Sequence, residues 1–378
     1  MENVTDYIYD QNYYESYPTG VSEGEECEPA SFPQSTVILP LVYCLIFVTG
    51  FLGNGLLISA IGLKCRAKRQ MDIFVLNLAM ADLVFLVTLP LWVDAEAWSK
   101  SWRSGLLLCR LSGYMVAVNA YSSVLFLTCM SLDRYLAIVY PLRSRRFRSK
   151  AYTVLACLVV WIASLLLGLP VLHSRTIQTQ DEGRVSYCME DPETTNPNIS
   201  LAYLVLTFFC PMLVILVCYC SIAKKLCLHY RRSKKQDVKL RKSMRVVFLV
   251  VMAFLISWLP FNIFRFLGLL LRWGVGVGSC SFRRAVELGI VTSAPLAFAN
   301  SCSNPIIYCL HDSSIQKAML QLLLPCLKAL RLSQNSTTSD GQPSRSLSST
   351  LITEDPSYRR RSAHHALRIT TWASNLQP

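Results

Sequence analysis

The residues able to do chemistry in this sequence are few, and most of them lie where water should be scarce. Asp82 sits inside an apolar stretch with no other charge close by, and Asn54, Asn119, Ser123, Asn300, Ser301 and Asn304 occupy similar stretches. A polar group in such surroundings costs roughly a few kcal/mol unless it is paired, so these side chains are expected to meet. A carboxylate with hydroxyl and amide oxygens around it is a hard-oxygen site suited to a small cation or a proton. The plainer reading is a hydrogen-bonded polar core that glues segments together. Asp82, the one ionisable residue deep in its stretch, favours the functional reading.

A second group closes the third apolar run. Asp133-Arg134-Tyr135-Leu136-Ala137-Ile138-Val139 stands directly before a basic segment. An Asp–Arg pair there can hold a closed arrangement, and Arg134 can be handed to a partner when neighbouring segments part. The competing reading is an interfacial ion pair worth about 0–1 kcal/mol. Prolines offer the means of movement. Pro40, Pro90, Pro170, Pro211, Pro260, Pro295 and Pro305 interrupt the apolar runs, and in a helix each frees a carbonyl and bends the axis. A proline in a membrane helix is commonplace, so Pro40 and Pro170 imply little. Pro260 differs because Trp258 stands just before it: the indole can press on a bound molecule above and on Phe254 below, joining a pocket to a hinge.

Positioning these residues requires elements that cross a bilayer. A helix rises about 1.5 Å per residue and the hydrocarbon core is about 30 Å thick, so spans near twenty apolar residues are needed. Seven are present, at Thr36–Leu63, Ile73–Val93, Leu111–Leu132, Ala151–Leu172, Ile199–Ala223, Val246–Leu271 and Ala285–Leu310. With 52% hydrophobic and 16% charged residues the chain has too little charge for an ordinary soluble surface, where about a quarter is usual. The net charge of +13 does not indicate nucleic-acid binding, because the basic residues cluster between apolar runs rather than on a solvated, aromatic-studded face. The fold class is an all-α membrane protein: a seven-transmembrane helix bundle with a short amphipathic eighth helix.

Charge orients the bundle. Lys64, Arg66, Lys68 and Arg69 fill the first loop, Arg143, Arg145, Arg146, Arg148 and Lys150 the third, and Lys224 to Arg245 the fifth; the positive-inside rule makes these loops cytoplasmic. The N-terminal tail up to Pro33 carries Glu2, Asp6, Asp10, Glu15, Glu23, Glu25, Glu26 and Glu28 and neither Lys nor Arg, so it is extracellular. Arg272, Arg283 and Arg284 run against the rule but are outweighed. The basic n-region of a cleavable signal peptide is missing, so the first apolar run is expected to start insertion itself. Of fifteen cysteines, Cys27, Cys109, Cys188 and Cys280 fall outside, where disulfides persist. An even set suggests two bridges, and the sequence does not choose among the pairings. The sequons at Asn3 and Asn198 also lie outside, where glycosylation can occur. After the last span, Ile315, Ala318, Met319, Leu322 and Leu323 have the spacing of an amphipathic helix along the inner leaflet, with Cys326 a candidate palmitoyl anchor. A Ser/Thr-rich disordered tail follows. The chain thus divides into an acidic, Tyr-rich outer tail (residues 1–35), a membrane domain (36–311), a membrane-surface helix (312–328) and a cytoplasmic tail (329–378).

Gly53-Asn54, Leu78-Ala79-Met80-Ala81-Asp82, Asp133-Arg134-Tyr135, Trp161, Trp258-Leu259-Pro260 and Asn304-Pro305-Ile306-Ile307-Tyr308 occur in order, and over about Ile38 to Lys328 the chain resembles the rhodopsin-like (class A) G-protein-coupled receptors. Within them it is similar to chemokine and related peptide receptors: Asp133–Val139 reads as their DRYLAIV box, Thr88-Leu89-Pro90 as their kink, and Tyr43 and Trp92 match their minor-pocket aromatics. The resemblance implies that Cys109 pairs with Cys188 and Cys27 with Cys280. It implies that Asp82, Asn119, Ser123, Asn300 and Asn304 form an allosteric sodium pocket favouring the inactive state, and that no other cofactor is needed. It makes Trp258, Phe254, Pro260, Pro211, Tyr219, Asn304, Pro305 and Tyr308 the switches that rearrange on activation, with Asp133, Arg134 and Tyr135 at the G-protein face. Two departures stand out. Ala294 occupies the place of a seventh-helix glutamate that grips a ligand's basic end in many chemokine receptors, which puts ordinary chemokine binding in doubt, and Ser257 replaces the usual cysteine before the tryptophan.

Tyr7, Tyr9, Tyr13, Tyr14 and Tyr17 lie among Asp6, Asp10 and Glu15, an acidic setting in which tyrosine sulfation is familiar in the resembling family. Such a tail attracts a basic peptide or protein electrostatically, and its aromatic rings are favoured at interfaces. The plain alternative is a solvated tail kept acidic for topology. Tyr43, Trp92, Tyr121, Trp258, Arg265 and Glu287 are expected to line a ligand cavity in the mouth of the bundle. The expected function is a plasma-membrane receptor for a basic secreted peptide or chemokine-like protein, coupled to an inhibitory-type (Gi/o) G protein. Receptor kinases and arrestin would dock on the Ser336-Thr337-Thr338-Ser339 and Ser344 to Thr350 clusters. The alternative is a scavenger or arrestin-biased receptor. A transporter predicts repeats or broken helices around a midplane site, and neither is evident; an enzyme is disfavoured because no nucleophile–base or metal-ligand set appears.

Overall fold

The computed structural model describes residues 35–65, 69–98, 101–141, 144, 149–180, 185–191, 196–229, 237–273 and 280–324. Seven helices are long and apolar enough to cross a membrane, at Thr36–Gly62, Gln70–Ala97, Gly105–Val139, Lys150–Ser174, Pro197–Lys225, Arg245–Arg272 and Cys280–His311. A helix satisfies its own backbone groups, which is what an apolar run buried in lipid requires.

The first span is α1 (Ser35–Ser59), which runs on as a π-helical segment, Ala60–Cys65. The second is broken into α2 (Gln70–Leu86) and α3 (Leu89–Ala97). The break has a local cause: Pro90 has no N–H to offer the preceding turn, and Thr88 folds back so that its Oγ1 donates to the carbonyl of Phe85 at 2.8 Å. The third span, α4 (Gly105–Val139), has 35 residues, about 52 Å of helix, and 56% of its apolar window is buried against 22% for the first and fourth spans. It is therefore the central post. It is longer than the apolar run that announced it because charge ends hydropathy without ending a helix: near one end the Nε of Arg110 donates to the carbonyl of Arg175 at 3.0 Å, and at the other Asp133 and Arg134 pair with each other.

The fourth span is α5 (Lys150–Ser174). Gly168 on α5 admits the ring of Tyr114 from α4: a Cβ there would lie 2.7 Å from Tyr114 Cε2. The fifth span is α6 (Pro197–Leu204), a π-helical segment (Val205–Phe209) and α7 (Cys210–His229). The π turn stands immediately before Pro211, which cannot donate to the carbonyl four residues back. The sixth and seventh spans, α8 (Asp237–Arg272) and α9 (Cys280–His311), pack closely on one another. Gly289 of α9 lies under the ring of Phe264 of α8, so that a Cβ at Gly289 would stand 2.5 Å from Phe264 Cγ and nearer still to Cδ1 and Cε1.

One element joins the helices that the periodicity reading did not include. β1 (Arg175–Gln180) and β2 (Val185–Glu190) form an antiparallel hairpin with Arg175 opposite Glu190 and Ile177 opposite Cys188. Each strand is six residues long, too short and too polar to stand out against the long apolar runs. Cys188 is bonded to Cys109 at the start of α4, and Trp102 N–H donates to the carbonyl of Ser186 at 2.6 Å, so these contacts join the one from Arg110 in fixing the hairpin to the bundle. At the opposite end α10 (residues 313–324) follows α9. It buries Ile315, Ala318 and Met319 against the core and leaves Leu320, Leu323 and Leu324 exposed, an apolar face fit for lipid.

Candidate functional site

Below the hairpin, α4, α5, the α6–α7 span and α8 enclose a cavity of about 360 Å³. Its floor is aromatic. Phe208 stacks on Phe254 at 6.2 Å between ring centroids, Phe254 on Trp258 at 6.1 Å, and Trp258 meets Phe261 edge-on at 6.1 Å. The ladder stands on the bend of α8. Pro260 leaves the carbonyl one turn before it without its helical donor, while Asn262 donates through Nδ2 to the carbonyl of Trp258 at 2.8 Å. Trp258 is buried, and its Nε1 has no hydrogen-bond partner among the described residues. A molecule filling the cavity therefore rests on the ring that touches the hinge.

Charge gathers at the mouth. Glu190 at the end of β2 lies 3.8 Å from Arg265 of α8 and 4.0 Å from Arg175 of β1. Burial alone would raise the Glu190 carboxyl above its ordinary value, but the guanidinium groups of Arg265, Arg175 and Arg272 outweigh burial and hold it below. Arg175 is placed by the absence of a side chain at Gly113, where a Cβ would come within 3.0 Å of Arg175 Nε. From there Nη1 reaches the carbonyl of Cys188 at 3.4 Å, and the guanidinium lies 5.9 Å from the ring of Trp92. Two guanidinium groups thus share the Glu190 carboxylate at the mouth.

Of the six residues expected to line the cavity, Tyr121, Trp258 and Arg265 do so, and Tyr43, Trp92 and Glu287 do not border it. Tyr43 is buried in a separate aromatic cluster, 5.6 Å from Phe298, which itself lies 5.0 Å from Phe85. Trp92 stands edge-on to Trp102 at 5.6 Å, and Glu287 is buried on α9. Glu190 and Arg175 were not anticipated. The available signal was position: Glu190 follows the bridged Cys188 by two residues, on the same face of an extended strand.

The buried polar residues meet at Asp82, which is fully buried. Its Oδ1 accepts from Asn119 Nδ2 at 3.0 Å and Ser301 Oγ at 2.8 Å, and its Oδ2 from Asn304 Nδ2 at 2.9 Å. Ser301, one of the polar residues expected to meet but not in the expected cation set, bonds the carboxylate directly. Ser123 Oγ, Asn300 Oδ1 and Asn54 Oδ1 are buried oxygens with no hydrogen-bond partner among the described residues. A carboxylate beside spare oxygens is the donor chemistry a small monovalent cation takes, and unpaired buried acceptors are costly without one. Asn54 completes the link by donating to the carbonyls of Gly50 and Ser301 at 2.9 and 2.8 Å.

At the far end of α4, Arg134 Nη2 lies 2.7 Å from Asp133 Oδ2, and the two side chains are each 10% exposed, so this pair is not the solvated surface kind of negligible weight. Tyr135 stands edge-on to Tyr140 at 5.8 Å and Tyr219 edge-on to Phe248 at 5.7 Å. Tyr308, one turn beyond Pro305, is buried with its hydroxyl 3.9 Å from Met130 Sδ. The bridge between Cys109 and Cys188 is present and Cys280 is disulfide-bonded. Cys27, Asn3, Tyr7, Tyr9, Tyr13, Tyr14, Tyr17 and Cys326 lie outside the described residues. Asn198 is exposed in the first turn of α6, which begins two residues before the apolar run was expected to.

Comparison with known proteins agrees with this geometry. The profile of the 7 transmembrane receptor (rhodopsin family) matches residues 53–308. G-protein coupled receptor 15 of Mus musculus is 42% identical over 334 residues, 88% of this chain and 92% of its own length. Apelin receptor A of Danio rerio is 34% identical over 94% of this chain and 100% of its own. Type-1 angiotensin II receptor A of Rattus norvegicus is 34% identical over 76% of this chain and 80% of its own. These relatives are receptors and not enzymes, and the chain is accordingly a multi-pass receptor of the plasma membrane. It belongs to the rhodopsin family of seven-transmembrane, G-protein-coupled receptors.

Proposed function

We propose that this chain is a cell-surface receptor for a basic secreted peptide or chemokine-like protein, that it activates an inhibitory-type (Gi/o) G protein, and that receptor kinases and arrestin act on its cytoplasmic tail. The observation that carries this reading is the cavity floored by Trp258 on Phe254 at 6.1 Å, directly above the bend at Pro260. Relatives named for the peptides apelin and angiotensin II support it. The hairpin end faces the extracellular side and the Arg134 end the cytoplasm, in line with the basic loops near Arg69, Arg148 and Arg245 and the acidic tail before Pro33. The acidic, tyrosine-rich tail gathers a basic ligand electrostatically before its end enters the bundle. Occupancy presses on Trp258; α8 swings at Pro260; Asp133 releases Arg134 to the G protein.

A sodium ion would be held by Asp82, with Asn119, Ser123, Asn300 and Asn304 around it and Ser301 at the carboxylate. Its contribution would be charge compensation of the buried carboxylate, which favours the resting arrangement. Glycans on Asn3 and Asn198, sulfates on the tail tyrosines, a lipid on Cys326 and a bridge from Cys27 to Cys280 complete the reading. Its test is a screen of basic secreted peptides on expressing cells with wild type and Arg134→Ala side by side. Loss of peptide-stimulated nucleotide exchange in the variant with binding retained supports the proposal. Binding and arrestin recruitment without exchange in the wild type would make the chain an arrestin-biased or scavenging receptor instead.

A further inference from the structure

Arg69 is one of several basic residues in the first inner loop, yet its contacts are specific. Asp72, in the first turn of α2, is buried. Its carboxylate accepts the backbone N–H of Arg69 at 2.9 Å and the Nε of Arg69 at 2.9 Å, and lies 2.7 Å from Arg69 Nη2. The remaining terminal nitrogen, Nη1, lies 2.8 Å from Oδ2 of Asp312. Asp312 in turn stands between α9 and α10. Its own N–H donates to the carbonyl of Tyr308 at 2.9 Å, and its carbonyl accepts from Gln316 N at 2.8 Å. Its Oδ1 caps α10 by accepting from Ser314 N at 3.0 Å and Ile315 N at 3.3 Å.

We propose that Arg69 is a positioning residue: its planar fork latches the elbow between α9 and α10 to the start of α2, and so holds Tyr308 and α10 in the resting arrangement. One guanidinium serves two carboxylates at fixed angles, which a single ammonium cannot reproduce. One carboxylate, that of Asp312, divides its two oxygens between the latch and the helix cap. The Asp72 and Asp312 side chains are only 3% and 17% exposed, so solvent screens the network little on the acidic side. Tyr308 lies one helical turn before Asp312, and release of the elbow frees the segment that carries it. The consequence for signalling rests on the G-protein reading above; the latch itself does not.

Two variants isolate the latch without removing the fold's other supports. Asp312→Asn keeps a side chain that caps a helix N-terminus and loses the ion pair; Arg69→Lys keeps the positive charge and loses the fork. The full chain in lipid nanodiscs would be compared by amide hydrogen exchange over residues 313–324 and by ligand-independent nucleotide exchange on added Gi/o at equal receptor density. Both variants should exchange the α10 amides about tenfold faster than wild type, the scale of losing one charge-assisted contact, and should raise basal nucleotide exchange several-fold. Wild-type protection of α10 in either variant overturns the latch. Faster amide exchange in both variants, with no nucleotide exchange by any form including wild type, supports the latch and counts against the G-protein reading.

Discussion

Gly289→Ala tests the closeness of α8 and α9, the pair on which any hinge at Pro260 depends. The added methyl would stand 2.5 Å from Phe264 Cγ and closer to two further ring carbons, whereas carbon atoms pack at about 3.5–4.0 Å. The ring must therefore retreat by roughly 1 Å or more, and α8 carries it one turn above Pro260 and next to Arg265. Overpacking of this kind costs about 1–3 kcal/mol. The assay is thermal unfolding of the purified receptor in one detergent, for wild type, Gly289→Ala, Phe264→Ala and the double variant. Gly289→Ala should melt measurably below wild type, by several degrees. On the Phe264→Ala background, where the ring is gone, the same substitution should cost close to nothing. An equal loss on both backgrounds would show that the methyl meets something other than Phe264, and an unchanged melting temperature in the single variant would refute the packing itself.

Asp82→Asn should abolish sodium sensitivity: ligand-independent nucleotide exchange, lower in sodium chloride than in choline chloride for wild type, should be equal in the two salts for the variant, and a retained difference would contradict the cation site. Gly113→Val should displace Arg175 from Cys188 and Glu190 and weaken ligand binding by about tenfold, with Gly113→Ala between the two; undiminished binding in the valine variant would remove Arg175 from the mouth. Because Glu190 is held below its ordinary value, its charge is present above that range and lost only as pH falls through the depressed value. Wild type and Glu190→Gln should therefore change affinity in parallel between about pH 7.5 and about pH 5.5; profiles that diverge in this window would mean that Glu190 titrates there.

The seven spans were legible because each is a long apolar run, and only their ends shifted. α4 extends through Arg110 and Asp133 because paired charges do not stop a helix, and α6 begins at Pro197, where Asn196 accepts from Asn198 N at 2.9 Å. The Asp82 cluster was legible because polar groups in lipid have few partners but one another; which serine reached the carboxylate was not, since that depends on the relative rotation of α4 and α9. The cavity was half legible. Trp258, Tyr121 and Arg265 border the cavity as their type and place suggested, whereas Tyr43 and Trp92 lie beside Phe298 and Trp102 and do not border it. Arg175 and Glu190 went unseen because their meeting is a matter of strand register. Arg69 was read as charge alone because Asp312, its partner, lies at the far end of the chain.

A distance measurement tests most directly whether occupancy of the hairpin-side cavity moves the opposite end. Spin labels at Leu132 on α4 and Arg245 on α8 would be followed in nanodiscs with and without a basic peptide that binds the receptor. The two helix ends should separate when the peptide is bound, and Trp258→Ala should bind it with little separation. An unchanged label distance at saturating peptide would contradict the link between cavity and cytoplasmic face.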